Sequence, residues 1–241
     1  MKKLSVIIPA YNEEKRIEQT LLNIDSYLEK QNYEYEIIVV DNNSNDKTSE
    51  VVKRLEMSTV RNAKAIFERT KGKGAAVKRG MLEAVGEYRM FMDADNATPI
   101  SEIEKFWPFL DQGYQVVIGS RYVDPSTVKI KQPFYRVLMS RLSNLLIQTV
   151  LIPHIKDTQT GFKAFEAKAA ETIFKQVTIF GWAFDMEVLA LALKCSYRIR
   201  EVPVSWEEHG GSHVPATAYL QALRDLFLIK LRCLFGKYST K

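Results

Sequence analysis

Residues Leu4 to Glu14 read LSVIIPAYNEE: a short apolar run, Leu4–Ile8, halts at Pro9 and passes into a polar turn holding Tyr11, Asn12, Glu13 and Glu14. An apolar run of this length, bounded by turn residues, reads as a buried strand. A helical pattern over Glu13–Lys30 follows it. The same unit then recurs. Glu36–Val40 is a strand ending at Asp41, with a helix over Lys47–Leu55. Ala63–Glu68 is a weaker strand, followed by a helix over Gly72–Val85 that glycines open. Arg89–Met92 is a strand ending at Asp93, and after it come a helix over Ser101–Leu110 and a strand over Gln115–Gly119. Strands alternating with helices predict an α/β fold, with a mostly parallel, twisted sheet flanked by helices. Open sheets of this kind bind ligands at the carboxyl ends of their strands. Asn12, Asp41, Asp93 and Asp95 all fall at those ends.

Beyond Ser120 the texture changes. Phe134–Ile152 is a long apolar helical pattern with a thin polar stripe, and shorter helices are expected over Ala167–Phe174 and Phe184–Lys194. Arg198–Val204 reads as a late strand. An amphipathic helix from about Thr217 to Phe235 closes the chain. With no repeat and no low-complexity linker, one domain is expected over 1–215, in halves 1–120 and 121–215, with 216–241 as a C-terminal amphipathic elaboration. No stretch of eighteen apolar residues exists, so no spanning helix is expected, and the apolar run near the N-terminus is too short for a signal peptide. Cys195 and Cys233 lie far apart without CxxC spacing, which supports neither a zinc site nor a disulfide framework.

The net charge of +5 matters through its placement. Arg121, Lys129, Lys131, Arg136 and Arg141 face only Asp124 within their segment. From Ala216 onward Arg224, Lys230, Arg232, Lys237 and Lys241 face only Asp225. A basic second half points to phosphates or an anionic membrane as partners. The bases accompany apolar helices rather than a nucleic-acid-binding signature, so no nucleic acid is expected.

Several stretches carry candidate chemistry. Asp93-Ala94-Asp95 places two carboxylates at i and i+2 where a buried strand ends, a pair suited to share one hard cation with a diphosphate; Asp is also a common turn residue. Asn12 reads as a helix cap, with Glu13 and Glu14 at the helix's positive end, while Tyr11 and Glu13 are also candidates to face a base or ribose. Asp41, heading DNNS, is a turn former and an acceptor for a base N–H. Lys71-Gly72-Lys73-Gly74 opens a helix whose glycines would let backbone approach a phosphate, but the GxxxxGK[ST] spacing of an ATPase P-loop is absent. Arg136 and Ser140 lie four apart on the apolar helix, hence on one face, with Asn144 a turn further. Together with Arg121 they read as a phosphate clamp beside a greasy groove, or else as the solvated face of an amphipathic helix. Asp185 and Glu187 read as cap acids or sugar-hydroxyl ligands. His154, His209 and His213 show no ligand spacing.

These stretches, in order, resemble family 2 of the glycosyltransferases: VIIPAYNEEKRI, IIVVDNNSNDKT, KGKGAAVKRGM, FMDADNAT, VIGSRY, DTQTGFKAF, GWAFDMEVL, VPVSWEEHGGS and LRDLFLIKLRCL. They span nearly the whole chain. The resemblance leans towards the group that transfers hexoses, glucose above all, to dolichyl and polyprenyl phosphates. It implies the GT-A fold, with a nucleotide-binding half over 1–120 and an acceptor half over 121–215. It puts nucleotide contacts on Pro9, Tyr11, Glu13 and Asp41, donor-diphosphate contacts on Lys73 and Ala94, metal ligation on Asp93 and Asp95, and acceptor-phosphate contacts on Arg121, Arg136 and Ser140. Mg²⁺ or Mn²⁺ is the implied cofactor. The implied partners are a nucleotide-diphosphate sugar (UDP-glucose first, GDP-mannose as the alternative), a polyprenyl or dolichyl phosphate, and a membrane surface, met peripherally from the cytoplasmic face. Two features depart from the pattern. The glucosyl relatives usually carry an N-terminal membrane helix, for which no stretch here qualifies, and the QxxRW motif of processive members is missing, which argues against polysaccharide synthesis. Two other classes compete: a nucleotidyltransferase, disfavoured because PAYNEE lacks a glycine- and Arg/Lys-rich first loop, and a non-catalytic nucleotide-sugar-binding membrane module, which a sugar-lipid product would exclude.

Overall fold

The structure, a computed structural model, describes residues 3–124, 134–207 and 217–239, with the backbone alone at 134–141 and 217–219. Among these, seven strands form one sheet: β1 (Leu4–Ala10), β2 (Tyr35–Asp41), β3 (Ala63–Phe67), β4 (Tyr88–Met92), β5 (Val116–Ser120), β6 (Phe162–Glu166) and β7 (Ile199–Pro203). The helices are α1 (Ile17–Leu28), α2 (Thr48–Ser58), α3 (Lys73–Glu83), α4 (Trp107–Asp111), α5 (Phe134–Val150), α6 (Ala167–Gln176), α7 (Phe184–Lys194) and α8 (Thr217–Leu234).

Side chains alternate across the pleat and both faces are covered, which is why the strands read as continuous apolar runs. Leu4, Val6, Ile8, Ile37, Val39, Met90 and Met92 face one core, under α1, α2 and α4. Ile7, Ile38, Val40, Phe91, Val116 and Ile118 face the other, under α3, α6, α7 and part of α8.

Strand order is β3-β2-β1-β4-β6-β5-β7. β1 pairs in parallel with β2 and β4, β2 with β3, and β5 with β7. β6 runs antiparallel between β4 and β5. The sheet is therefore mostly parallel, as expected, with one reversed strand that the apolar pattern does not signal. The reversal has a consequence for function: β6 begins at the edge where β4 and β5 end, so the segment entering it, 157–161, arrives beside Asp93 and Arg121.

Three elements differ from expectation. β1 runs through Pro9 to Ala10. Its ladder with β4 stops at Ile7, so no bond on that side is asked of the proline nitrogen. The helix expected over Ser101–Leu110 is instead a 3₁₀ turn at Ile100–Lys105 followed by α4. Pro108 lies in the first turn of α4, where a missing N–H leaves no helical bond unmade. Finally, α1 starts at Ile17 rather than Glu13. Asn12 has φ 56°, a left-handed conformation that keeps it out of the helix, and the residue flanking α1 is Arg16, which makes no side-chain cap. The cap reading of Asn12 is thus corrected.

α8 packs against α7 and α5 through the side opposite its leucine stripe. Leu226, Ile229 and Asp225 are buried, and Arg232 reaches Glu187 at 3.5 Å. The apolar face that three- and four-residue spacing gives this amphipathic helix (Leu220, Leu223, Phe227, Leu231 and Leu234) points outward, from 41% to 74% exposed. Leu142, Leu145 and Leu146 of α5 are exposed as well. No described helix is long and apolar enough to cross a membrane.

Candidate active site

The loops after β1 and β2 are zipped together. Asn12 donates its N–H to Ser44 Oγ (3.0 Å) and accepts from the Asn45 N–H (2.8 Å); the Glu13 and Glu14 amides donate to Thr48 Oγ1 (2.8 Å) and Asp46 Oδ2 (3.1 Å). Asp41 is buried, accepting from the Ser44 N–H (3.0 Å) and Ser49 Oγ (2.6 Å). Asn42 and Asn43 tie this turn to residues 68–72 through the Glu68, Arg69 and Thr70 carbonyls and the Gly72 N–H. Glu13 pairs with Arg16 at 2.8 Å, and Tyr11 is half-exposed at the rim. The result is a rigid floor at the ends of β1 and β2. Asn12, Asn43 and Asn96, in the loops after β1, β2 and β4, all adopt the left-handed conformation that Asn tolerates better than most residues.

Asp93, Ala94 and Asp95 form the next turn. Thr20 of α1 donates to the Ala94 carbonyl (2.7 Å), and Asp95 Oδ1 accepts from the Ala97 N–H (3.0 Å). Lys73, first residue of α3, places Nζ 2.5 Å from Asp93 Oδ1. Gly161 closes the far side: a Cβ there would lie 2.0 Å from Asp93 Oδ2. Burial pushes the Asp93 carboxyl up, but the Lys73 ammonium, with Lys163 and Arg121 behind it, outweighs burial and holds it below the usual range. Asp95 is pushed up by burial and by the charge of Asp93. Lys73 is held above its ordinary value: burial opposes its charge, but Asp93 and Asp185 outweigh burial.

Arg121, just past β5, binds Asp157 through Nε (2.8 Å) and Nη2 (3.0 Å), and its N–H donates to the same carboxylate (3.0 Å). Its guanidinium lies over the rings of Tyr122 and Trp206, at 5.5 and 5.4 Å. The fork is therefore largely engaged within the protein, which narrows the clamp expected of it. Arg136 and Ser140 fall on α5, but their side chains lie outside the described residues, as do His209 and His213. His154 is exposed.

The glycines of the Lys71–Gly74 stretch serve packing rather than a backbone phosphate cradle. Gly72 has φ 126°, and a Cβ on it would meet the Phe180 carbonyl oxygen at 2.1 Å. The Gly72 and Gly74 amides are taken by Asn42 Oδ1 (2.7 Å) and the Phe180 carbonyl (2.9 Å). Of that stretch, the Lys73 side chain is what faces Asp93. Asp185 and Glu187 are also reassigned. Glu187 is fully buried, accepting from the amides of Thr178 (2.8 Å) and Ile179 (2.7 Å), Thr178 Oγ1 (2.6 Å) and the Tyr238 hydroxyl (2.6 Å). Asp185 pairs with Lys163, which sequence reasoning passed over although a lysine inside FKAF stands out as the charged residue of an apolar strand.

Asp93 and Asp95 offer hard oxygen ligands on one turn, and no group of three or more metal-ligating side chains occurs among the described residues. Such a donor set fits Mg²⁺ or Mn²⁺, which complete their shells with phosphate oxygens and water; it does not fit a soft or all-protein site.

Residues 5–174 match the model of glycosyl transferase family 2. The chain is 35% identical over 99% of its length to the dolichyl-phosphate beta-glucosyltransferase of Dictyostelium discoideum, covering 77% of that protein, and 34% identical over 98% of its length to the human enzyme of the same name, covering 78%. Among solved structures it is similar to Mycobacterium tuberculosis glucosyl-3-phosphoglycerate synthase in complex with Mn²⁺, uridine-diphosphate-glucose and phosphoglyceric acid. That likeness has a TM-score of 0.68 at 20% identity, covers 96% of this chain and 80% of the other, and shows the shared fold. Sheet, strand-end acids and near-complete coverage agree: the chain belongs to glycosyl transferase family 2.

Proposed function

We propose that this glycosyltransferase moves glucose from UDP-glucose to a polyprenyl or dolichyl phosphate with inversion at the anomeric carbon. The similarity to dolichyl-phosphate beta-glucosyltransferases over nearly the whole chain carries the reading. The state of the acids supports it. Asp157 is paired with Arg121, Asp185 with Lys163, Glu13 with Arg16, and Glu187 is saturated by donors. A hydroxyl acceptor needs a base to remove its proton, whereas a phosphate monoester arrives ionised, and the paired acids suit the second.

In this reading Pro9, Tyr11, Glu13 and Asp41 border the nucleotide, and Lys73 and the Asp93-Ala94-Asp95 turn face the diphosphate. Asp93 and Asp95 would hold the divalent cation, which when bound supplies positive charge against the leaving diphosphate. Arg121, Arg136 and Ser140 border the acceptor phosphate, Arg121 contributing its field and the edge left free by Asp157. An acceptor phosphate oxygen attacks the anomeric carbon opposite the leaving group; the new C–O bond forms as the old one breaks, and UDP departs with the electron pair. The protein's part is alignment and charge stabilisation. A lipid-linked acceptor stays in its bilayer, so the enzyme works peripherally at a membrane surface, on the cytoplasmic face, and the outward leucine face of α8 supports contact there.

The test is to incubate the protein with MnCl₂, a polyprenyl phosphate and either UDP-glucose or GDP-mannose, and to identify the lipid product by mass spectrometry. Glucosyl lipid is expected with UDP-glucose, with turnover abolished by EDTA and cut at least about a hundredfold in Asp95→Ala, the scale of losing a strong transition-state contact. Product from GDP-mannose alone, or no sugar-lipid with either donor, overturns the reading.

A further inference from the structure

Lys163 lies in the middle of β6, opposite Phe91 of β4 and Ile118 of β5, with no exposed surface. A buried ammonium costs several kcal/mol in desolvation, and its neighbours on the strand are apolar. Its Nζ donates to the Thr160 carbonyl and to Asp185 Oδ1, each at 2.5 Å, and lies 5.3 Å from the centre of the Phe91 ring. Asp185 is buried in the first turn of α7. Beside it is Phe184, whose ring centre lies 5.7 Å from that of Phe91 and 5.9 Å from Lys73 Nζ. Two lysines and two aspartates thus share one aromatic-walled region. Lys73–Asp93 is partly open to solvent, and Lys163–Asp185 is sealed. After Lys163, Lys73 is the next cation whose charge bears on Asp185.

A buried charge left without a counter-ion is costly. Burial pushes the Asp185 carboxyl up and the Lys163 and Lys73 ammoniums oppose that, so with Lys163 gone the carboxylate is left to Lys73 and draws its ammonium inward, away from Asp93. We propose that Lys163 is a positioning residue: by neutralising Asp185 it keeps the Lys73 ammonium at the mouth of the site, on Asp93 and within reach of the donor diphosphate. The inference rests on the reading of Lys73 as a donor-diphosphate residue. It explains why a lysine stands at the centre of the sheet. Losing Lys163 exposes Lys73 to a competitor, whereas losing both charges removes the competitor and leaves no bare ammonium acting on Asp93.

The experiment measures UDP binding by calorimetry in MnCl₂, with thermal melts alongside, for the full chain and three variants. Lys163→Met is expected to weaken UDP at least about tenfold, equivalent to 1.4 kcal/mol. The double variant K163M/D185N, which leaves neither charge bare, is expected to stay within about threefold of the parent, on the same scale. Asp185→Asn bares the Lys163 ammonium, whose charge also acts on Asp93, and serves as the stability comparison. A structural ion pair predicts otherwise, with affinity following the melting temperature in all three variants. Unchanged binding in Lys163→Met, or a double variant as weak as Lys163→Met, overturns the proposal. Should Lys163→Met not fold, Lys163→Gln takes its place. Absence of UDP binding by the parent chain instead overturns the donor reading, and this inference with it.

Discussion

Asp157 shows what a single side chain does here. It is fully buried and binds the guanidinium of Arg121 in a fork, and its own backbone N–H donates to Glu201 Oε1 (2.7 Å). Burial pushes its carboxyl up, but Arg121 outweighs burial, so the folded value lies below that of an ordinary aspartate. A depressed carboxylate contributes stability that is fully present above the unfolded value, near 4, and is lost as pH falls through the folded one. Asp157→Asn keeps the shape and removes the charge, leaving Arg121 half-buried and unpaired, at an expected cost of about 3–5 kcal/mol at neutral pH. Urea unfolding of both proteins at pH 7 and at pH 3 checks this: the gap should narrow at the lower pH, and a constant gap would show that charge is not what holds the pair. Asp93 and Asp95 were legible from the residues because both sit where one strand ends. The partner of Arg121 was not, because it lies 36 residues away and reaches Arg121 only through the reversed strand β6. Lys163 was visible as an anomaly in an apolar strand, but its partner belongs to α7, which no local pattern connects to β6.

At the scale of elements, the apolar runs and helical spacings located nearly every strand and helix. What they missed was set by individual backbone demands: the left-handed Asn12 that delays α1, and Pro108 that splits the fourth helix. For α8, spacing found the apolar stripe but not the side that packs. Leu226 and Ile229 face the core, with Asp225 and Arg232 next to Ile229 on the wheel, while the leucine stripe faces out; Leu142, Leu145 and Leu146 of α5 are exposed too. Basic residues Arg224, Lys230 and Lys237 accompany the stripe, each worth about 1 kcal/mol near an anionic bilayer. Replacing Leu223, Phe227 and Leu231 together with Ser should abolish sedimentation with anionic vesicles. The melting temperature should move little, since surface substitutions stay within about 0.5 kcal/mol each. Removing α8 altogether should instead destabilise the fold, because Leu226 and Ile229 leave the core and Glu187 loses Arg232 and Tyr238. Vesicle binding that survives the triple substitution would move the membrane contact elsewhere.

Over the whole molecule, the site exists because the two halves of the chain interlock in one sheet. The parallel half, β3-β2-β1-β4, gathers the loops after β1, β2 and β4 at one edge, as the sequence order foretold. The second half inserts β6 antiparallel between β4 and β5, so the segment 157–161 crosses that edge and sets Gly161 against the Asp93 carboxylate. The sequence hints at this only through a turn, DTQTGF, whose glycine has no local reason to be there. Gly161→Ala tests the interlock. Its added carbon would collide with Asp93 Oδ2 at 2.0 Å, so either the aspartate turns away from Lys73 or the whole entry to β6 shifts. Gly181→Ala is the control, meeting nothing nearer than Gln221 Nε2 at 3.5 Å, an ordinary contact. Overpacking of this kind costs typically about 1–3 kcal/mol, so Gly161→Ala should remain folded while metal-dependent UDP binding and glucosyl transfer fall by about tenfold or more, each tenfold being 1.36 kcal/mol at the barrier. Gly181→Ala should retain both. If Gly161→Ala turns over like the parent, the crossing segment merely passes the site, and the acids at the end of β4 are positioned by the first half of the chain alone.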